Sequence, residues 1–482
     1  MTDSPVIHWF RRDLRLTDNL ALREALKTRQ PVIPLFIVDP ALRRGEKFGL
    51  PRLKFMLDGL SALDDLLREY GTRLLVRHGD PREMLPALVD QTGATAVYFN
   101  RDYTPYAARR ENVLKDRLRV PFIGCDDAML HPPDTIKTKG EGKPYTVYTP
   151  YRNQWFELPK PAPAMGVIEG KRFHTLEGVE NSGVPTLAEL GFSATIPVPT
   201  AGELVARKRL VEFTSGAIFT YAEDRNRLIP NPFDEPPPQG TSYLSPYLRM
   251  GMISPRQMFD AAKQAWNHAE TSAQRHSVEV WMSELAWREF YMGILYHFPQ
   301  VYHTSFRPEF EKVEWRSDAD DFQRWSNGQT GFPIIDAAMR QMNAIGWMHN
   351  RARMIVASFM TKDLLLHWRM GENDFMQKLI DGDPAANNGG WQWAAGTGTD
   401  AQPYFRIFNP VSQSQKFDPR GEYIRYWIPE LRDVPDKHIH APHEMAIPPT
   451  GYPPPMVDHA WARQRTLDAF KAVKQETDSG KY

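Results

Sequence analysis

The sequence has very little cysteine, since Cys125 is the only one among 482 residues. A single thiol cannot form an internal disulfide, and it excludes a metal site built from several cysteines. The first residues lack the apolar core of a signal peptide, and no apolar run reaches transmembrane length. These absences predict a protein of a reducing compartment with cytoplasmic localisation and no membrane attachment.

An excess of charge of one sign is also missing, because 59 Lys and Arg balance 59 Asp and Glu. A nucleic-acid partner would therefore need a local basic patch. The histidine pairs near the middle and the end of the chain lack carboxylates at ligand spacing, so we expect no metal site. No Ser–His–Asp signature and no GxSxG motif occurs.

Residues 1–132 alternate short apolar runs with helical patterns and form the first predicted domain. Helical spacing of apolar residues is clearest from Leu50 to Tyr70. The alternation predicts an α/β domain with a parallel, Rossmann-like sheet covered by helices on both faces. Its strands are expected at 6–10, 31–39, 72–78, 95–100 and 120–124, and its helices at 18–27, 50–70, 81–91 and 106–118.

The turn after the first strand carries arginines in place of a dinucleotide fingerprint. No GxGxxG is present there, and the sequence reads WFRRDLR. Arg11, Arg12 and Arg15 either hold an anion or form a solvated basic turn. The residues alone favour the solvated turn.

The rest of the chain divides into a linker and an all-α domain. Six prolines between 158 and 199 indicate a long connection, and we place the linker at 133–202. A second Pro-rich piece spans 230–240. Patterns are helical almost throughout 203–475, with helices expected at 272–298, 350–368, 372–380 and 459–474.

The stretch Asp381–Trp393, DGDPAANNGGWQW, is dense in groups that bind planar polar ligands. Pro384, Gly389 and Gly390 disfavour a continuous helix, so we predict a loop between two helical segments. A solvated turn with two core tryptophans is the alternative.

Three further patterns are candidates for a binding site. Glu284, Trp287 and Arg288 share a helical face, where a carboxylate can bond the edge of a heterocycle while an indole stacks on it; the alternative is a helix-surface ion pair. The hydroxyls of TSYLS (241–245) precede a helix and suit an anion or a plain N-cap. Arg353 and Asp381 are candidates for a buried pair.

Several motifs together resemble the photolyase/cryptochrome family. They are WFRRDLRLTDN, TSYLSPYL, WREFY, GWMHNRARM and DGDPAANNGGWQWAAGTGTDAQPYFRIFNP. They occur in order from about residue 6 to beyond residue 430, so the resemblance covers nearly the whole chain. Within the family, the chain looks most like the bacterial-type (class I) cyclobutane pyrimidine dimer photolyases.

The resemblance implies an α/β antenna domain, an all-α FAD-binding domain, and residues for each site. The implied FAD-binding set is Tyr221, Thr241, Ser242, Tyr243, Leu244, Ser245, Trp281, Arg288, Arg353, Asp381, Gly382, Asp383 and Asn387. The implied set for DNA and the flipped dimer is Arg225, Glu284, Trp287, Asn350, Arg351, Met354 and Trp393. The implied catalytic set is Glu284, Asn387 and a tryptophan relay of Trp391, nearest the flavin, then Trp368 and Trp315.

The activity implied by the resemblance is light-driven lyase chemistry on DNA that contains pyrimidine dimers, with no obligate protein partner and a monomeric state. Relatives acting on (6-4) photoproducts carry histidines where this chain has Asn350 and Met354, which favours cyclobutane dimers. The alternatives are a cryptochrome-like blue-light photoreceptor without repair activity and a non-photochemical flavin electron-transfer protein.

Two departures from the family pattern bear on ligands. Tyr243 stands where many relatives have a basic residue. A second, antenna chromophore is possible, of deazaflavin, folate or flavin type. NRDYTPYAARREN (100–112) lacks the Asn–Glu pair of folate-binding relatives, and Ala107 replaces a glycine frequent at deazaflavin- or flavin-type sites.

Overall fold

A computed structural model describes residues 4–164, 172–193, 196–231, 233 and 240–479. Its contacts divide the chain into two units. The first unit comprises Met1–Tyr145, Thr149–Ala222 and Thr241–His297, and the second comprises Thr146–Tyr148, Glu223–Gly240 and Phe298–Tyr482. These units place 241–297 with the N-terminal part of the chain, and the domain boundaries at 132 and 202 stay predictions.

The first unit contains a five-stranded parallel sheet in the order β3-β2-β1-β4-β5. The three interior strands, β1, β2 and β4, are buried at every position, as expected where a sheet is covered on both faces. All five predicted strands are confirmed to within three residues. They are β1 (Val6–Phe10), β2 (Val32–Val38), β3 (Leu75–His78), β4 (Val97–Asn100) and β5 (Phe122–Cys125).

The direction of strand addition reverses between β1 and β4, and ligands of open parallel sheets bind at such a switch point. Several helices of this unit begin after a residue whose side chain caps them. Asn19 and Thr104 accept a backbone N–H in the first turn of the helices that follow them. The helices are α1 (Leu20–Lys27), α2 (Leu50–Glu69), α3 (Pro81–Thr92), α4 (Pro105–Arg117), α5 (Tyr148–Glu157), α6 (Glu203–Thr214), α7 (Tyr221–Asp224), α8 (Ser245–Met250), α9 (Pro255–His268) and α10 (Ser272–His297).

The arginines that follow β1 do not form a solvated turn, so that interpretation is wrong. Arg15 is 1% exposed, and its guanidinium donates to Asp127 at 2.6 Å. Arg11 is also buried and pairs with Glu111 at 2.7 Å. Burying a guanidinium is costly unless a carboxylate neutralises it. The sequence could not reveal these partners, because they lie about a hundred positions away.

The second unit is helical in its described part. Its helices are α11 (Ala319–Ser326), α12 (Pro333–Ile345), α13 (Asn350–Ser358), α14 (Trp368–Lys378), α15 (Pro384–Ala395), α16 (Pro410–Phe417), α17 (Glu422–Trp427) and α18 (His459–Ser479). Its core packs aromatic side chains, among them Trp325, Trp368 and Phe375, between these helices.

The helix predicted over 350–368 ends early, so its C-terminal boundary is wrong. After α13 the chain forms a π-helical turn, Phe359–Asp363, and Leu365 has a positive φ of 54°. A new helix then starts at Trp368, where the His367 side chain accepts the Arg369 N–H as an N-cap.

No helix in the described part of the chain combines the length and apolarity needed to span a bilayer. The Pro-rich piece at 230–240 falls largely outside the described residues.

Candidate functional site

The stretch Asp381–Trp393 is mostly a helix, so the prediction of a loop is wrong. Helix α15 begins at Pro384, and the Asp383 carboxylate caps it by accepting the N–H groups of Ala385 and Ala386. Proline at the first helical position removes an N–H that has no helical acceptor, so it starts a helix here instead of breaking one. The two glycines cost helix stability without ending the helix.

Arg353 and Asp381 do meet, which sequence could only suggest. The Arg353 guanidinium donates to both Asp381 carboxylate oxygens, at 3.1 and 2.9 Å, and to the Met348 carbonyl at 2.7 Å. Asp381 is buried, and about a quarter of the Arg353 side chain is exposed. A shielded pair with one accessible edge suits a polar ring placed against it.

The amide of Asn387 has a fixed orientation. Its nitrogen donates to the Glu372 carbonyl of α14 at 2.9 Å, so its oxygen points away from that carbonyl. The next residue, Asn388, donates to the Glu372 carboxylate at 3.1 Å and to the Val301 carbonyl at 2.9 Å. The α15 face that carries Asn387 is therefore anchored to α14 before any ligand binds.

The Trp391 indole packs directly on α14. It is 2% exposed, and a Cβ added at Gly371 would lie 2.1 Å from its ring. Its ring contacts are with Phe375 at 5.0 Å and with Trp325, edge-on, at 5.9 Å. Gly371 therefore creates the space that Trp391 fills.

The other two predicted relay indoles lie beside one histidine. The His367 ring stacks on Trp368 at 5.7 Å and lies 5.5 Å from Trp315. Trp368 is fully buried and Trp315 is partly buried. The N–H groups of Trp368 and Trp391 have no hydrogen-bond partner within the described residues. Buried indoles without a proton acceptor retain their proton when they are oxidised, which suits reversible electron transfer.

A basic patch in the second unit involves two residues predicted to contact DNA. Arg351 donates to Asn226 at 2.7 Å, and its guanidinium lies 4.6 Å above the Phe417 ring. Burial and the positive charges of Arg225 and Arg406 lower the pKa of Arg351. A cluster of positive charges of this kind is a favourable site for phosphates.

Asn350, Met354 and Trp393 belong to the same unit. Asn350 is exposed at the start of α13, and Met354 is half-buried, with its sulfur 3.6 Å from the Arg351 guanidinium. Trp393 is partly buried against the aromatic core. His349, which precedes Asn350, caps α13. Burial, together with the positive charges of Arg353 and two further arginines, lowers the pKa of His349 to about 3. It stays neutral at physiological pH.

The first unit contains the remaining predicted residues. Tyr221 and Trp281 are buried on either side of Phe213, at ring distances of 6.1 and 5.4 Å. In the Thr241–Ser245 stretch, Tyr243 is 2% exposed and has a positive φ of 51°. The N-cap position of α8 is Leu244, without a side-chain cap, so the interpretation of Thr241 or Ser242 as a plain N-cap is wrong.

On α10, Glu284, Trp287 and Arg288 are half-buried. Trp287 stacks on Tyr291 at 5.5 Å, and Arg288 donates to the Ala128 carbonyl at 2.7 Å. Arg288 also lines a recess at the carboxyl edge of the sheet, with Arg11, Arg12, Arg101, Arg249 and Asp102. Such an edge is where parallel sheets bind ligands.

Several residues of these clusters were missed by the sequence reasoning, namely Gly371, Glu372, His367, Asn226 and Phe417. The sequence offers one indication, which concerns His367. A histidine stands directly before the first residue of a helix in both MHNR and LHWR. Within the described residues, no group of three or more His, Cys, Asp or Glu is arranged to hold a metal ion.

Comparison with known proteins gives consistent results. Residues 6–166 match the DNA photolyase family, and residues 281–472 match the FAD binding domain of DNA photolyase. The chain is 42% identical to a deoxyribodipyrimidine photo-lyase of Synechococcus over 480 residues, 98% of this chain and 97% of that protein.

Solved structures agree with these matches. A bacterial class III photolyase from Agrobacterium tumefaciens is 37% identical, with a TM-score of 0.88 and 98% of each chain covered. An archaeal photolyase from Sulfolobus tokodaii, solved with two FAD molecules, is 32% identical, with a TM-score of 0.81 over 97% of this chain and 100% of that one.

Proposed function

Because this chain belongs to the DNA photolyase family, we propose that it is a deoxyribodipyrimidine photo-lyase that repairs cyclobutane pyrimidine dimers in DNA under light. The observation that carries the proposal is the cluster of prearranged side chains in the second unit. An Arg353–Asp381 pair, an amide oriented at Asn387 and a buried indole at Trp391 occur within the matched FAD-binding segment.

The residues present fit a flavin. Reduced FAD, when bound, supplies on absorbing light the electron that opens the cyclobutane ring, and it recovers that electron afterwards. Arg353 and Asp381 present a charged edge that suits a polarised ring, and Asp383 suits a ribose hydroxyl after capping α15. The anchored amide of Asn387 presents its oxygen as an acceptor for a ring N–H. The family resemblance also implies Tyr221, Trp281 and the Thr241–Ser245 stretch, which belong to the first unit, as FAD-binding residues.

The protein binds DNA through the phosphates of the backbone and recognises the lesion by its shape. Arg225 and Arg351 neutralise backbone charge, which explains how a chain without net charge binds a polyanion. Asn350, Met354 and Trp393 of the second unit are the residues we expect to receive the dimer after it leaves the stack, at a cost of a few kcal/mol. The resemblance implies the same role for Trp287 of the first unit. Glu284 hydrogen-bonds the edge of the dimer's bases.

The relay replaces an electron when the cofactor is oxidised. Trp391 donates to the cofactor, Trp368 restores Trp391, and Trp315 restores Trp368 from a partly exposed position. The burial of these indoles supports this path, since neither the Trp391 N–H nor the Trp368 N–H has a hydrogen-bond partner within the described residues. The protein acts as a cytoplasmic monomer.

An antenna chromophore, if present, binds at the arginine-lined recess of the first unit. The chemistry of that recess suits a ligand with a negative charge. An absorption spectrum of purified protein identifies a deazaflavin or folate antenna, because each adds a band distinct from that of FAD. A flavin antenna instead raises the amount of flavin per protein above one.

The decisive experiment is blue-light illumination of purified, reduced protein with an oligothymidine that contains a cyclobutane dimer. We expect restored thymines in the light and none in the dark. Protein that carries flavin but leaves the dimer intact would be a photoreceptor, and protein without flavin would contradict both functions. Glu284→Ala should lower repair yield more than flavin content; equal losses would assign Glu284 to the fold.

A further inference from the structure

We propose that His367 is a positioning residue for the relay, which permits oxidation of Trp368 and Trp315 while its imidazole is neutral and opposes their oxidation when the imidazole is protonated. The proposal rests on the proposed function, because it assumes that these indoles carry electrons. It assigns a role to His367, which is not among the predicted site residues.

The geometry places one titratable ring against two consecutive relay indoles. The centre of the His367 ring lies 5.7 Å from Trp368, with the planes inclined by 29°, and 5.5 Å from Trp315, with the planes inclined by 57°. In the step concerned, one electron leaves the Trp368 indole and reduces the oxidised Trp391 indole, after which Trp315 reduces Trp368. A charge on His367 lies almost equally far from Trp368 and Trp315, so it opposes the first of these transfers and leaves the second nearly unchanged. No bond forms or breaks, and the proton on His367 stays where it is.

The N-cap contact determines where His367 carries its proton. Its Nδ1 accepts the Arg369 N–H at 3.2 Å, so the neutral ring is protonated on Nε2. A second proton on Nδ1 removes that acceptor and the cap, and it creates a cation in contact with both indoles. Protonation therefore has an electrostatic and a structural consequence.

The surrounding groups keep the imidazole neutral at pH 7. Burial lowers the pKa of His367 from 6.5; Glu311, on the 308–312 turn, raises this pKa, and Arg369, on its own helix, lowers it. The facing residue of α18, Phe470, is apolar and lies 5.9 Å from Trp315.

Two other titratable groups lie near this ring contact. The Lys362 ammonium is 4.1 Å above the Phe470 ring. Asp363, in the same π-helical turn, pairs with His459 at 2.5 Å, and burial raises the pKa of Asp363 to about 6. The experiment therefore has to separate His367 from the Asp363–His459 pair.

A unit charge about 5.5 Å from an indole opposes its oxidation strongly enough to change the equilibrium for oxidising Trp368 by ~10-fold or more at an effective dielectric constant of about 20. We therefore expect the yield of long-lived tryptophan radicals, measured by transient absorption on flavin-loaded protein, to fall severalfold as the pH decreases from 8 to 5. His367→Asn keeps a capping side chain without the imidazole and should flatten this profile.

His349→Asn is the matched control, since His349 also caps a helix through Nδ1 but has its ring contact with Trp347. It should retain the fall, as should His459→Asn. A readout independent of the flavin is the NMR titration of the imidazole that His367→Asn removes, expected below pH 6.5. If His367→Asn folds poorly, His367→Gln replaces it.

A flat radical yield in the unaltered protein, or the same fall in His367→Asn, would overturn the proposal. Loss of the fall in His459→Asn alone would assign the effect to Asp363 and would also overturn it. Failure of the proposed function gives a different result: without a relay, Trp315→Phe leaves photoreduction unchanged at every pH.

Discussion

The carboxyl edge of the sheet and the indole cluster of the second unit differ in whether their buried cationic side chains are paired with carboxylates. At the sheet edge, Arg15 and Arg256 are both about 1% exposed and share the Asp127 carboxylate, while Arg256 also pairs with Asp18. Beside the indoles, the fully buried Lys362 donates to the Ala395 carbonyl at 2.5 Å and faces an aromatic ring. No ion pair of Lys362 occurs within the described residues.

This difference distinguishes the charge-paired framework of the first unit from the proposed electron path of the second unit. Paired charges hold distant segments of the first unit in fixed positions, since each partner is costly to bury alone. The indoles of the second unit have other aromatic rings as close neighbours, and at pH 7 these rings carry no charge that has to rearrange when an electron moves. Each of the following substitutions removes or sharpens that contrast.

Asp127→Asn should have the largest effect on stability. It leaves the guanidiniums of Arg15 and Arg256 without their shared negative charge, and breaking a buried pair costs ~3–5 kcal/mol. Urea denaturation measures the change. The control is Asp126→Asn, whose partner Arg101 is solvent-accessible, with an expected cost of about 1 kcal/mol or less. Equal costs would show that the buried network is not special.

Lys362→Met should remove a penalty that depends on pH. Burial lowers the pKa of Lys362 from 10.5 to about 7, so between pH 7 and 10 the unfolded chain binds more protons than the folded one. The stability of the unaltered protein therefore rises with pH across that window, by ~2–4 kcal/mol from this group. The methionine variant should lose that slope; a slope that survives would mean that other titrating groups cause it.

Gly371→Ala should cost ~1–3 kcal/mol, because its Cβ would meet the Trp391 ring. Displacing that indole should also slow photoreduction of oxidised flavin. Gly293→Ala, in α10, is the control, since nothing lies within 4 Å of its added Cβ and alanine favours helix by up to ~1 kcal/mol. Thermal unfolding and flavin absorbance under light distinguish the two variants.

Trp315→Phe should change stability least, by about 1 kcal/mol, because Trp315 is only partly buried. Photoreduction of oxidised flavin should nevertheless slow, while repair by pre-reduced enzyme persists. Trp461→Phe replaces an indole that is 59% exposed and should leave both unchanged. Loss of both activities in Trp315→Phe would make Trp315 purely structural.

Local patterns were sufficient to predict the sheet. The apolar runs of β1, β2 and β4 are separated by helices with capping residues, and strand–helix alternation leaves few topologies. Long helices such as α10 were predicted for the same reason. The loop prediction at Asp381–Trp393 failed because proline and glycine were counted as breakers, although proline at the first helical position favours a helix.

The candidate site was less predictable, since its contacts join distant residues. The residues that sequence assigned to the flavin and the relay came from the family resemblance, and their roles stay predictions. Physical patterns alone could not show that Gly371 makes room for Trp391, or that His367 lies between two indoles, because both depend on how α14 packs.

The absence of a side chain at Gly371 affects how the proposed electron transfer from Trp391 depends on temperature. Trp391 fits against bare helix backbone, with 2% of its surface exposed, so it has almost no alternative rotamer to occupy. A donor held this firmly does not need thermal motion to reach its reactive position. We therefore expect the first electron step from Trp391 to proceed in a frozen glass, where steps that require a mobile donor stop.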